Sequence, residues 1–304
     1  ASILSIRENS SMMRGVRLAC LTTVGLLCCG RLQAAEDPVV KRLEAKGAKI
    51  TSVKGLLQIN VSECSQWTDD DYRALGGIPN VTSLSFGLGF TEASLPLLAG
   101  LKDLEAFSTN GMQLTDEGSK AFVQFPQLKR LTFFHPARSF TGNELGRLAS
   151  LKLEELSIGG SATVADEALA SISRIKTLKR LRLWHLRNTN DGVKRLTELP
   201  ALESFMLGQS GVNMPPACPD DETIGILLQM KALKTLVLME TRYDYASLIR
   251  LKQLPELKQL SLDGIQMPEA DYERLQREMP EVRMTRSRYF SVPRSLAKPT
   301  SFTT

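Results

Sequence analysis

Apolar residues in this chain fall on a short motif that returns at near-constant intervals. The pattern L-x-x-L-x-L, with other apolar residues at some positions, reads LLQINV (56–61), VTSLSF (81–86), LEAFST (104–109), LKRLTF (128–133) and LEELSI (153–158). It continues as LKRLRL (178–183), LESFML (202–207), LKTLVL (233–238) and LKQLSL (257–262), with a degraded tenth start at VRMTRS (282–287). The intervals between first positions are 25, 23, 24, 25, 25, 24, 31, 24 and 25, so one alone is out of line. Within each motif, alternation predicts a strand with positions 1, 4 and 6 facing inward and positions 3, 5 and 7 facing outward.

Each unit also has a second half. Apolar residues recur three apart, as in Leu95, Leu98, Leu101 and in Leu145, Leu148, Leu151, which predicts one stripe of a short helix. The segments WTDDD (67–71), LTDEG (114–118) and NTNDG (188–192) carry Thr and acids where such helices start. A side-chain oxygen there accepts from a free backbone N–H, and acids suit the positive helix end. Pro79, Pro126, Pro200, Pro255 and Pro280 stop the helices just before the next strand. Helices this short are marginal alone, so each unit must bury its apolar face against its neighbour. The outcome is an α/β solenoid of nine full units and a closing partial one.

On these residues the chain resembles leucine-rich repeat proteins, specifically the bacterial type with units of about 24 residues and a T-D-x-G signature before the helix. The resemblance covers about residues 50–284. It implies a curved parallel sheet on the concave face, short helices on the convex face, and recognition of another macromolecule rather than catalysis. The family's Asn/Cys ladder position, ninth in the unit, is filled only by Cys64; Gly89, Pro136, Ser161 and Leu186 are among its other occupants. Less uniform loops after the strands are therefore expected.

The flanks differ from the repeats. Met12–Ala34 has the order of a secretory signal peptide, with Arg14 and Arg17 before the apolar run LACLTTVGLLCC, and residues 1–11 read as an over-long start. An uncleaved anchor is the alternative, although the apolar run is shorter than the ~20 residues that span a bilayer. Residues 36–52 read as a cap, with a helix over 36–50 covering the first repeat; the solenoid takes 53–284, and 285–304 is a basic tail rich in Ser, Thr and Pro. Without residues 1–35 the chain keeps 34 basic and 32 acidic side chains, a net of +2, against +5 for all 304 residues. That balance does not indicate a nucleic-acid binder. An exported protein of the periplasm, cell envelope or exterior, without stable membrane insertion once the leader is removed, is expected. Cys64 and Cys218 would lie six units apart, roughly 29 Å along the sheet, too far for a disulfide. Cys218 falls in the long insertion GVNMPPACPDD (211–221), which is either a tolerated excursion or a specificity loop stiffened by proline.

Reading positions 3, 5 and 7 across the units gives the outward stripe. Early units offer small polar groups such as Gln58, Ser83, Ser85 and Ser108. The middle offers Arg130 and Phe134, then Glu155 and Gly159, then Arg180, Arg182 and Trp184; Met206 follows in the seventh unit. His135, Gly160 and His185 occupy position 8. With strands ~4.8 Å apart, Phe134 and Trp184 would stand about 10 Å apart across Gly159 and Gly160. Two arrangements are open: a slot with aromatic walls and a glycine floor, or rings that bend over and cover the strand edge. Exposed Trp, Phe and Arg are the residue types of binding hot spots. These residues form the candidate partner-binding set, for a protein or glycan-bearing macromolecule. A structural or adhesive envelope component without one defined partner is the alternative. Two histidines fall short of the three or four ligands a zinc site uses, and no serine is placed against either one, so no metal, cofactor or enzymatic activity is expected.

Overall fold

The computed structural model describes residues 37–287 apart from 112, 209–219, 241–242 and 266. The proposed leader, Cys218, all but the last two residues of the 211–221 insertion, and the tail beyond Ser287 lie outside the described residues. Within them the chain is a leucine-rich repeat solenoid. Eleven strands form one sheet in strict chain order: β1 (Ala48–Val53), β2 (Leu56–Glu63), β3 (Val81–Leu88), β4 (Ala106–Asn110), β5 (Arg130–Phe134), β6 (Glu155–Gly159), β7 (Arg180–Trp184), β8 (Ser204–Gly208), β9 (Thr235–Met239), β10 (Gln259–Asp263) and β11 (Arg283–Ser287). All neighbours from β2 onward pair in parallel.

The strand alternation holds except at the first position of the first motif, where Leu56 is exposed and Leu57 faces inward, because the register of β2 against β3 shifts between Leu57 and Gln58. In β5, Leu131 and Phe133 are buried while Arg130 is exposed and Thr132 and Phe134 are half-buried. The inward leucines meet the three-spaced stripe of the opposite layer in one continuous core. Its N-terminal half is aromatic: Phe86 and Phe90 stack at 4.1 Å, and contacts run on through Phe107, Phe122, Phe133 and Phe140 at 5.0–5.9 Å. Each such ring, fully buried, stabilises the fold by about 1.5–3 kcal/mol.

Several second halves are 3-10 rather than α-helical, notably Glu92–Leu98 and Leu145–Ser150. Apolar residues three apart match 3.0 residues per turn, so the 3-10 form keeps Leu95 and Leu98, or Leu145 and Leu148, on one line facing the core.

Both ends correct the sequence reading. The cap helix is shorter than 36–50, spanning Pro38–Ala45, and the chain then reverses. Gly47 ends the helix at φ +89, and Lys54–Gly55, both left-handed, form a two-residue turn that folds β1 back antiparallel onto β2. At the other end, Gln259 pairs with Arg283, so the tenth unit starts at Glu281 rather than Val282. A one-residue shift exchanges the two faces of a strand. Met284 and Arg286 thus point inward, and Arg286 is accommodated there by stacking on Tyr272 at 4.4 Å and pairing with Glu269.

The helix starts show what joins one unit to the next. Glu92 accepts both the N–H and the hydroxyl of Thr115 in the following unit, at 2.7 and 2.9 Å. Asp116 does the same for Thr141 and also takes the Gly142 N–H; Asp166 does it for Thr189 at 2.6 Å on both bonds. Asn190 and Asp221 receive the hydroxyls of Thr223 and Ser247. The glycines complete the arrangement. A Cβ on Gly118 would lie 2.0 Å from Glu92 Oε2, and one on Gly192 would lie 2.2 Å from Asp166 Oδ1. In these units the Thr joins backward, the acid joins forward, and the glycine leaves room for the preceding acid. The series breaks after Thr141, where Gly142 supplies no carboxylate. Cys64 is buried, as expected of a ladder residue, and burial pushes its thiol up to about 11.

Candidate functional site

The concave middle is built on three strands in register. Arg130, Glu155 and Arg180 align across β5, β6 and β7, as do Thr132, Ser157 and Arg182, and then Phe134, Gly159 and Trp184. Met206 continues the Arg182 row on β8. The structure therefore brings the sequence-predicted residues of units four to six onto one patch.

The aromatic slot is not what forms. The Phe134 and Trp184 rings lean together over the intervening strand, with centroids 5.2 Å apart and planes at 46°. Gly159 is buried beneath them, and a Cβ there would lie 2.3 Å from Trp184 Cε2. Gly160 plays the same part for His135, whose ring covers it and meets Phe134 edge-on at 4.4 Å. The spacing estimate fails because χ angles carry the rings sideways. Glycine removes the obstacle, and dispersion plus exclusion of water favours ring on ring over ring in water. His135, Phe134 and Trp184 thus form a continuous aromatic plate, half-buried at Phe134 and Trp184.

Position 8 carries a backbone requirement that the sequence pattern does not show. Gly111, Gly160 and Gly264 sit there with φ of +75, +70 and +69, and their N–H groups donate to the last strand residue of the next unit. His135, His185 and Glu240 occupy the same position with φ of +48, +54 and +54. A side chain in the left-handed region costs about 1 kcal/mol or more relative to glycine. Both histidines have partners: His135 Nδ1 lies 3.2 Å from Asn110 Oδ1, and His185 Nε2 lies 3.1 Å from Glu240 Oε2. Glu240 escaped the sequence reading because it lies 55 residues from His185. Its shared unit position was the signal available. Neither histidine bonds a Ser, Thr or Cys among the described residues, and those residues hold no group of three or more His, Cys, Asp or Glu placed for a metal ion.

Charges at the strand entrances alternate. Lys129, Lys179 and Lys234 pair with Glu105, Glu154 and Glu203 at 2.7, 3.2 and 3.0 Å. One position further in, Arg180 holds Glu155 at 2.6 Å. Opposite charges on adjacent strands contribute roughly 0.2–1 kcal/mol each. Arg130 and Arg182, both exposed, have no ion-pair partner among the described residues.

The crystal structure of an internalin C2 from Listeria monocytogenes matches 72% of this chain and 84% of its own, at 16% identity and a TM-score of 0.45. No protein-family model matches the chain. No curated protein matches it either. Among the described residues, no helix is long and apolar enough to cross a membrane.

Proposed function

We propose that this chain is an exported, non-enzymatic recognition scaffold of the bacterial T-D-x-G leucine-rich repeat type, which binds a protein or glycan-bearing partner on the concave face of β5–β8. The observation that carries this reading is the aromatic plate over Gly159 and Gly160. Its rings sit on the sheet's outer face, outside the core formed by the inward leucines, and are only half-buried there. Beside it stand Arg130 and Arg182, and Met206 extends the surface toward β8. Tryptophan, arginine and methionine concentrated at the centre of a patch are the composition of a contact centre. The small polar stripe of β2–β4 supplies complementary but less energetic contact area. The reading is tested by partner capture with the full chain and with Trp184→Ala. The variant keeps its unfolding transition within a few degrees of wild type and loses at least a tenfold share of affinity. Equal binding by the variant would overturn the proposal.

A further inference from the structure

We infer that the concave middle takes an acidic, extended segment of a partner protein, its carboxylates on Arg130 and Arg182 and a large apolar side chain on the Trp184–Phe134 plate. This rests on the concave-face reading above and specifies the partner's chemistry.

The charge pattern of the sheet carries the inference. Along β4–β9, the lysines at the second position are matched to glutamates on the preceding strand. The concave acids nearest the plate are committed as well, Glu155 to Arg180 and Glu240 to His185. At the outward-facing positions of β4–β9, the charges left without an ion pair are positive, namely the two exposed guanidiniums of Arg130 and Arg182. Glu155 lies on the strand next to Arg130 yet closes on Arg180 instead. The surplus is thus local and has one sign, while the chain outside its proposed leader is close to neutral. A guanidinium presents a planar fork that matches a carboxylate in two parallel hydrogen bonds.

Spacing then selects the ligand. Arg130 and Arg182 are separated by two strands and by two residues along the strand, which places their backbones roughly 12 Å apart. One carboxylate does not serve both at close range. In an extended segment, side chains four residues apart share a face and stand about 13 Å apart. Trp184 is two residues beyond Arg182 on the same face of β7 and its ring leans back toward Phe134, so the plate lies beside the line joining the two arginines, where a large side chain of the segment reaches it. The matching element is two acids four residues apart with a large apolar residue close to them.

The test uses the full chain immobilised against a random dodecapeptide library displayed on phage. Peptides selected on wild type should be enriched in Asp and Glu near a Leu, Phe or Trp. As synthetic peptides they should bind about tenfold more weakly to Arg130→Gln and to Arg182→Gln, each variant melting as wild type does. Soluble polyglucuronate, an anionic glycan, should not displace them. Selection of no binder, a selected pool without acid enrichment, equal affinity for both arginine variants, or displacement by polyglucuronate overturns the inference. If peptides of such a pool still lose binding to Trp184→Ala, the concave-face reading stands while the acidic partner falls. If Trp184→Ala binds them as wild type does, both fall.

Discussion

The chain has two tryptophans, and it uses them in opposite ways. Trp67 closes the N-terminal end: it is 8% exposed, its indole N–H donates to the Lys46 carbonyl at 3.1 Å, and its ring packs against Tyr72 and Phe86 at 5.3 and 6.0 Å. Trp184 lies half-buried on the outer face of the sheet over a glycine, with one aromatic neighbour. The first has its polar atom satisfied and its faces covered. The second is positioned with care and left accessible. Neighbouring charges follow the same division, since Asp71 near Trp67 is bonded by Lys46 and Thr68, whereas Arg182 near Trp184 has no acid. The polar groups around Trp67 are saturated, whereas Arg182 beside Trp184 is left without an ion pair.

The sharpest way to break the contrast is to truncate both rings. Trp67→Ala should cost about 3–5 kcal/mol in denaturant unfolding, the range for a large aromatic removed from a core. Trp184→Ala should cost less, about 1–2 kcal/mol, because its ring is only half-buried and lies outside the core. Equal losses would mean that Trp184 is core. Next in size is the joint between units. Gly192→Ala puts a methyl against Asp166 and should cost about 1–3 kcal/mol by overpacking, with loss of protection at the Thr189 amide in hydrogen exchange.

Acid should weaken the Trp67 end. Burial alone would raise the Asp71 carboxyl, but the Lys46 ammonium and the two Thr68 donors more than offset it, and the group is held below the ordinary carboxylate range. A depressed folded pKa means that its stabilisation is complete above the unfolded value near 4 and fades as pH falls through the folded one. Asp71→Asn should lower stability at neutral pH by about 1–3 kcal/mol and flatten the loss seen in acid melts. Trp184→Ala should leave the acid profile unchanged in shape. Smallest of all is the effect expected at position 8. His135→Gly removes left-handed strain and one hydrogen bond together, so stability should move by less than about 1 kcal/mol. Peptide-resolved alkylation adds a check on burial: with a thiol pushed up to about 11, Cys64 should react at pH 8 only after unfolding.

Much of this architecture was legible because the repeat states it many times over. A strand with Leu131 and Phe133 inward, a stripe such as Leu145 and Leu148, and a Thr at a helix start each follow from local periodicity and capping. Units of nearly equal length then leave parallel stacking in chain order as the way to bury them. The outward positions read from the motif held from β2 to β8 for the same reason, since alternation is a property of the strand itself. The motif slipped at β11, where VRMTRS lacks the leucines that fix a register and pairing with β10 decided instead.

Other features needed atoms in three dimensions. Whether Phe134 and Trp184 make a slot or a plate depends on side-chain torsions and on the space left above Gly159, which strand spacing does not contain. That Glu92 serves Thr115, and that Gly118 exists to make room for Glu92, joins residues in successive units through contacts no single unit encodes. The His185–Glu240 pair crosses two units at a position whose left-handed backbone is invisible in a hydrophobic pattern. By itself the sequence determined the periodic part of this protein, because period, burial and capping are local and repeated. The tertiary structure alone decided which outward groups are engaged by a neighbour and which are left free, because that depends on distances between units, and there the candidate binding surface is defined.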